Sequence, residues 1–182
     1  VPLLSHTLRA GADSGVLERT VVSTEDTEIA EIARTLGAEV VDRPTAFSTD
    51  GAKSEEAFTH ALIVREAIDG PYDAVMLLPP TAPFRTANHI REAVELYATD
   101  QFDTVIGIES VFKYRYEHGT NGAVRPCYAR RANRQEREAT YIENGAFYLA
   151  SAALVRDGKI FGATDRIGGV LMDKESSVNI DE

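Results

Sequence analysis

Two spacings of apolar residues alternate along the chain. From Pro2 to Ala12, Leu4, Leu8 and Ala12 recur four apart, which predicts one face of a helix, and Pro2 suits a first turn that needs no amide donor. Thr20 to Ser23 is a short β-rich run. A helical stripe of Ile29, Ile32, Ala33 and Leu36 follows and is closed by Gly37, with Thr24 expected as its cap and two acids, Glu25 and Asp26, in its first turn. Glu39 to Val41 reads as strand. Ser54 to Ile68 reads as a helix capped by Ser54, with Ala57, Ala61, Val64 and Ile68 along one side. Ala74 to Leu78 is an unbroken apolar run, the pattern of a strand buried on both faces. Thr86 caps a helix carrying Ile90, Ala93, Val94 and Tyr97, and Thr104 to Ile108 is strand again.

Strand and helix in alternation predict an α/β fold, a three-layer sandwich on a mostly parallel, mixed sheet. The alternation stops at Phe112. From there to Ile142 no period is sustained, a stretch well beyond the ~12–15 residues usual for a structureless loop. Regularity resumes with a strand over Asn144 to Ala150, a helix over Ala152 to Val155, and short strands at Val170 to Met172 and Val178 to Ile180. No repeat, low-complexity tract or linker divides the 182 residues, so a single domain over residues 1–182 is expected.

Composition narrows the function classes. Nineteen Lys and Arg stand against 29 Asp and Glu, a formal charge of −10, which argues against nucleic-acid partners held by phosphate neutralisation. No apolar run approaches the ~18 residues of a membrane span, so no membrane partner is expected. The lone Cys127 excludes an internal disulfide framework and suits the cytoplasm. Within this acidic chain, seven basic residues gather in the aperiodic stretch: Lys113, Arg115, Arg125, Arg130, Arg131, Arg134 and Arg137. Guanidinium groups at that density suit phosphate or carboxylate ligands, although a solvated loop would also carry them.

Three further patterns could carry chemistry. Leu77 to Thr86 runs from a strand into a turn with Pro79, Pro80 and Pro83, presenting Thr81 at the carboxyl end of the strand, where open α/β sheets bind ligands. Arg43-Pro44, followed by Ser48, Thr49, Asp50 and Ser54, places a cation at another strand end. Ser176 to Asp181 puts Asn179 and Asp181 on one face of a short strand, a spacing for two oxygen ligands of a divalent cation or for an ordinary polar edge. The four histidines show no metal spacing, and no nucleophile or Gly-rich phosphate motif is present.

Taken in order, these segments resemble the acylneuraminate cytidylyltransferases, the CMP-sialic acid synthetases. Pro2 to Thr7 is similar to the helix after that family's phosphate loop, Val21 to Asp26 to its second strand, and Leu78 to Arg85 to its "QPTSPLR" loop. Asn133-Arg134-Gln135, Tyr141 and Asn144 to Tyr148 follow at the family spacing, and Ser177 to Asp181 resembles its "SxDID" metal segment. Pro79 stands where the family has Gln, and Asn179 where it has Asp. The chain thus resembles the family without its N-terminal phosphate-loop strand and C-terminal helix, and the 182 residues alone are expected to turn CTP over poorly.

The resemblance implies a nucleotide-diphospho-sugar transferase-like fold and a CTP-dependent nucleotidyltransferase that activates an acidic 2-keto sugar of sialic acid type. Arg43 and Ser54 would sit at the nucleotide. Asp181 with Asn179 would hold Mg2+, and Thr81, Arg134, Gln135, Asn144 and Tyr148 would line the sugar side, with Asp181 and Arg134 catalytic. Residues 112–142 resemble the family's dimerisation arm, implying a homodimer. Related transferases for pseudaminic acid, legionaminic acid or an eight-carbon ketosugar, and an inactive sugar-nucleotide-binding domain, remain open alternatives.

Overall fold

The computed structural model describes residues 1–48, 54–159 and 164–181 and, of Arg134, the backbone alone. Helix α1 (Leu3–Ser14) leads to strand β1 (Val21–Thr24), helix α2 (Thr27–Thr35) and strand β2 (Glu39–Asp42), which pairs with β1 in parallel. Helix α3 (Ser54–Asp69), strand β3 (Ala74–Leu77), helix α4 (Ala87–Tyr97) and strand β4 (Thr104–Val111) continue the alternation. Then come the hairpin strands β5 (Tyr116–His118) and β6 (Val124–Pro126), the long strand β7 (Thr140–Ser151), helix α5 (Ala152–Arg156) and strand β8 (Ile167–Met172).

A four-stranded sheet in the order β3-β7-β4-β8 forms the centre. Strands β3, β4 and β8 share one direction, and β7 alone runs against them, so the sheet is mixed and mostly parallel as expected. Alternation along β3 serves both faces. Ala74, Met76 and Leu78 pack with Ala93, Val105 and Phe147 on the α4 side, while Val75 and Leu77 pack with Phe58, Leu62 and Val155 on the α3 and α5 side. The third core joins α1 and α2 to the β1–β2 pair through Leu8, Ala33, Val22 and Val40.

Several local expectations need correction. β3 is covered on both faces yet every residue in it keeps partial exposure, because β7 is its one strand neighbour among the described residues. The cap of α2 is Asp26 and not Thr24: its Oδ1 accepts from the amides of Glu28 and Ile29 at 2.8 and 3.0 Å, and Thr24 Oγ1 instead accepts from the Asp26 amide at 3.1 Å. Ile29, Leu36 and Ile68 are exposed, and the buried faces of α2 and α3 are Ala30 with Ala33, and Ala57, Phe58 and Leu62. In α1 the buried residues are Thr7, Leu8, Ala10, Gly11 and Ser14, and Ala12 is exposed. Ser54 opens α3, and its expected capping role depends on residues outside those described.

The last expected strand does not form. Residues 173–181 make turns: Asp173 Oδ1 accepts from the Ser176 amide at 2.7 Å, its backbone carbonyl accepts from Ser177 at 3.0 Å, and Asn179 Oδ1 accepts from the Asp181 amide at 3.2 Å. Side-chain acceptors close by in sequence thus take the amides that a ladder would have used.

Candidate functional site

Because β3, β4 and β8 are parallel, their carboxyl ends lie at one end of the sheet, where the antiparallel β7 begins. The Pro-rich loop leaves β3 there, folded by hydrogen bonds from the Ala82 amide to the Pro79 carbonyl and from the Arg85 amide to the Ala82 carbonyl, both 3.4 Å. Thr86 caps α4 as expected, in a reciprocal box with His89: the His89 amide donates to Thr86 Oγ1 and the Thr86 amide to His89 Nδ1. Burial holds the His89 imidazole below its ordinary pKa, so the ring favours the neutral, accepting form that this box requires.

Next to this loop the β4–β7 ladder breaks register. Ile106 pairs with Tyr148 and Ile108 with Glu143, so β7 uses five residues where β4 uses two. An odd spacing along a regular strand would put Glu143 and Tyr148 on opposite faces. The bulge brings them together, and the Tyr148 hydroxyl donates to Glu143 Oε1 at 3.3 Å.

Two glycines make room for it. A Cβ on Gly107 would stand 2.5 Å from Asn144 Oδ1, and Gly145 combines φ +66° with a position where a Cβ would meet Asn179 Nδ2 at 2.6 Å. Asn144, only 4% exposed, turns inward: Oδ1 accepts from the Ala146 amide at 3.1 Å, and Nδ2 donates to Ser177 Oγ at 2.9 Å and to Met172 Sδ at 3.3 Å. The Ile180 amide then donates to the Thr81 carbonyl at 2.9 Å.

Four of the residues singled out from sequence therefore gather at one place, Thr81, Asn144, Asn179 and Asp181, whereas Tyr148, paired with Leu77, faces the other side of the sheet and reaches Glu143. Arg43 sits after β2, where its Nε and Nη2 grip Glu25 Oε2 at 2.8 and 2.6 Å, and this pairing holds the Glu25 carboxyl below its usual pKa. Thr49 and Asp50, in the same stretch, lie outside the described residues. Gln135 is exposed in a single helical turn, Arg134–Glu136, within the 112–142 excursion, and no described hydrogen bond joins it to the Thr81 cluster. The side chain of Arg134 lies outside the described residues.

That excursion lacks a period because rings and cations organise it. Tyr114 and Tyr128 pack with centroids 4.4 Å apart and ring planes tilted by 40°, the guanidinium carbons of Arg137 and Arg131 lie 4.5 and 5.3 Å from the Tyr114 ring centroid, and the Tyr114 hydroxyl donates to the Ala132 carbonyl at 2.5 Å. Every residue of β5 and β6 is exposed. Arg125 pairs with Glu117, whereas Lys113, Arg115 and Arg130 are exposed without an ion pair among the described residues.

Among the described residues no group of three or more His, Cys, Asp or Glu side chains could hold a metal ion. Asp181 supplies one exposed carboxylate and Asn179 one amide oxygen. That donor set fits a hard cation taking one or two protein oxygens and completing its shell with water and substrate phosphates, the habit of Mg2+. Sequence reasoning gave no role to Arg85 and Ser177, which join the cluster, or to Glu143, which Tyr148 reaches. Arg85 ends the Pro-rich loop, and its burial was the one signal that no spacing rule could supply.

The family model described as "Cytidylyltransferase" matches residues 1–155. The chain is 32% identical to the N-acylneuraminate cytidylyltransferase of Escherichia coli O18:K1:H7 and 30% identical to N-acylneuraminate cytidylyltransferase A of Danio rerio, in each case over 100% of this chain but only 43% and 42% of the relative. The chain thus spans less than half the length of these relatives. It is 27% identical to the CMP-N,N'-diacetyllegionaminic acid synthase of Legionella pneumophila, over 99% of this chain and 80% of that protein.

Among solved structures, the 4-diphosphocytidyl-2C-methyl-D-erythritol synthase of Anaerococcus prevotii superposes with a TM-score of 0.70 at 12% identity, covering 100% of this chain and 81% of the other. A CMP:2-keto-3-deoxy-manno-octonic acid synthetase complexed with CTP gives 0.64 at 10% identity, covering 94% and 80%. These likenesses establish a nucleotidyltransferase-type fold.

Proposed function

Since the chain belongs to the cytidylyltransferase family, we propose that it carries out CTP-dependent activation of an acidic 2-keto sugar of sialic acid type. In this reaction the anomeric hydroxyl oxygen attacks the α-phosphorus of CTP and loses its proton. A P–O bond forms, the bond to the β-phosphate bridging oxygen breaks, and pyrophosphate leaves with CMP-sugar as the other product. The observation that carries this reading is the bond from the Ile180 amide to the Thr81 carbonyl, which joins two segments resembling family motifs about a hundred residues apart in sequence, at the carboxyl end of the parallel strands.

Such chemistry needs positioning and charge neutralisation more than a strong nucleophile. Thr81, Gln135 and Tyr148 offer neutral donors and acceptors for sugar hydroxyls, with Asn144 shaping that side from beneath. Arg134 is assigned to the sugar carboxylate, and Arg43 with Ser54 to the nucleotide. Asp181 and Asn179 would hold Mg2+, which when bound neutralises phosphate charge. Residues 112–142 act as a dimerisation arm, and the cytoplasm, suggested by the single cysteine, is the expected compartment. No helix among the described residues is long and apolar enough to cross a membrane.

Pseudaminic, legionaminic and eight-carbon ketosugars share the carboxylate and anomeric hydroxyl on which this assignment rests. The legionaminic acid synthase named above supports keeping them as candidate substrates. The test is pyrophosphate release with CTP, Mg2+ and a panel of these sugars. Turnover with an acidic ketosugar and none with neutral sugars is expected; release with no sugar present, or none with any acidic ketosugar, overturns the reading.

A further inference from the structure

Arg85 is 3% exposed and has no carboxylate within ion-pair distance among the described residues. A buried cation without a counter-ion is costly unless strong acceptors surround it. Here they come from three elements. Nη1 donates to the Pro79 carbonyl at 3.2 Å and to the Ala146 carbonyl of β7, and Nη2 donates to Thr7 Oγ1 of α1 at 2.8 Å. Desolvation lowers the guanidinium pKa to about 10, which still leaves it charged at neutral pH.

The contacts beyond these carbonyls close on themselves. Ala146, whose carbonyl accepts from Arg85, donates its own amide on the other side of its Cα to Asn144 Oδ1, and Asn144 Nδ2 donates to Ser177 Oγ. Three residues on, the Ile180 amide returns to the Thr81 carbonyl, two residues past Pro79. The circuit therefore runs from Arg85 through the β7 bulge and the 177–180 turns to the Pro-rich loop, and back to Arg85. Every segment assigned above to the sugar side, except the 112–142 excursion, lies on it.

We propose that Arg85 is a positioning residue that sets the spacing between the Thr81 loop, the Asn144–Tyr148 bulge and the Ser177–Asp181 segment, and so controls sugar binding without touching the sugar. This rests on the proposed reaction. The planar fork is what matters: an ammonium at the same place keeps the charge but cannot reach acceptors on three elements in fixed directions.

The test compares Arg85→Lys, Ser177→Ala and the double variant with the wild-type protein. Arg85→Lys is expected to raise the sugar KM roughly tenfold or more, the scale of losing a charge-assisted hydrogen bond, and to leave the CTP KM within about twofold. Ser177→Ala, which opens the circuit at its far side and leaves Arg85 intact, should raise the sugar KM less. In the Arg85→Lys background it should add little, because residues in one network couple. Unchanged sugar and CTP KM values at a temperature where both variants are folded, or additive effects in the double variant, overturn the proposal.

A substrate-free measurement separates this from failure of the proposed reaction. The Ala146 and Ile180 amides should exchange with deuterium faster in Arg85→Lys than in wild type, whatever substrate the protein uses. Unchanged exchange at both amides overturns the circuit even if CMP-sugar is made; a wild-type protein that makes none, with faster exchange in the variant, overturns only the reaction.

Discussion

Gly107 and Asn144 illustrate how a single side chain's orientation decides what a site can be. The Asn144 amide lies where a Gly107 side chain would be, and its three partners fix β7, β8 and the 177–181 turns together. Gly107→Ala should therefore be overpacked, with a loss of about 1–3 kcal/mol, read as a lowered midpoint in thermal or urea unfolding. A neutral effect would mean that Asn144 moves freely. Asn179→Asp tests the metal assignment at the same scale: a carboxylate oxygen retains the acceptor used by the Asp181 amide and adds a charge next to Asp181. The Mg2+ concentration for half-maximal activity should fall, since hard cations prefer carboxylate oxygen. Arg43→Ala should raise the CTP KM and Arg134→Ala the sugar KM, each roughly ten- to a hundredfold, and equal effects on both substrates would contradict the division of the two sides.

At the scale of elements, charge ties together parts that the apolar cores leave separate. Arg65 of α3 reaches Glu39 of β2 at 2.7 Å and Asp69 at 2.5 Å, while Arg19, before β1, reaches the same two acids at 2.6 and 3.3 Å. Next to these on α3, Arg156 of α5 grips Glu66 through both of its oxygens, at 2.6 and 2.9 Å, and Glu66 also accepts from the Tyr72 amide at 3.1 Å. The Arg156 hydrogen bonds pull the Glu66 pKa from 4.5 down to about 2. Because the folded value is depressed, this contribution to stability is complete above the unfolded value and is lost as pH falls through the folded one. Glu66→Gln should therefore narrow the stability difference between pH 7 and pH 2–3 in denaturant titrations, with the change concentrated between about 4.5 and about 2. A variant whose pH dependence matched wild type would show that the pair does not govern acid sensitivity.

For the whole molecule, the 112–142 excursion joins the central sheet only through its last three residues, 140–142, at the start of β7. Its all-exposed hairpin, together with exposed Phe112, Tyr116, Val124, Tyr141 and Ile142, presents apolar and cationic groups side by side. If it packs against a second copy in an isologous contact, the protein should sediment as a dimer. Charge reversal at Arg115 together with Arg130, both exposed and without ion pairs among the described residues, should then weaken the dimer. A monomeric mass at tens of micromolar would remove the arm from the account.

Periodicity alone located α1 through α4, β1 through β4 and the α/β class, because those signals depend on near neighbours: apolar spacing, caps such as Thr86, and stops such as Gly37. The chain also displayed its candidate residues in an order that resembles a family, and the family match agrees with it. Spacing failed where side-chain acceptors close by in sequence, or partners distant in it, took over from the backbone ladder. Val178 to Ile180 reads as strand, yet Asp173 and Asn179 take the amides nearby and only Ile180 finds a distant carbonyl. The 112–142 stretch has no period because its order comes from a Tyr–Arg cluster. The meeting of Thr81, Asn144, Ser177 and Ile180 around Arg85 was decided by tertiary structure alone. A register break in a ladder and a buried guanidinium bridging three elements are properties of the folded chain's contacts, and sequence spacing carries no record of either.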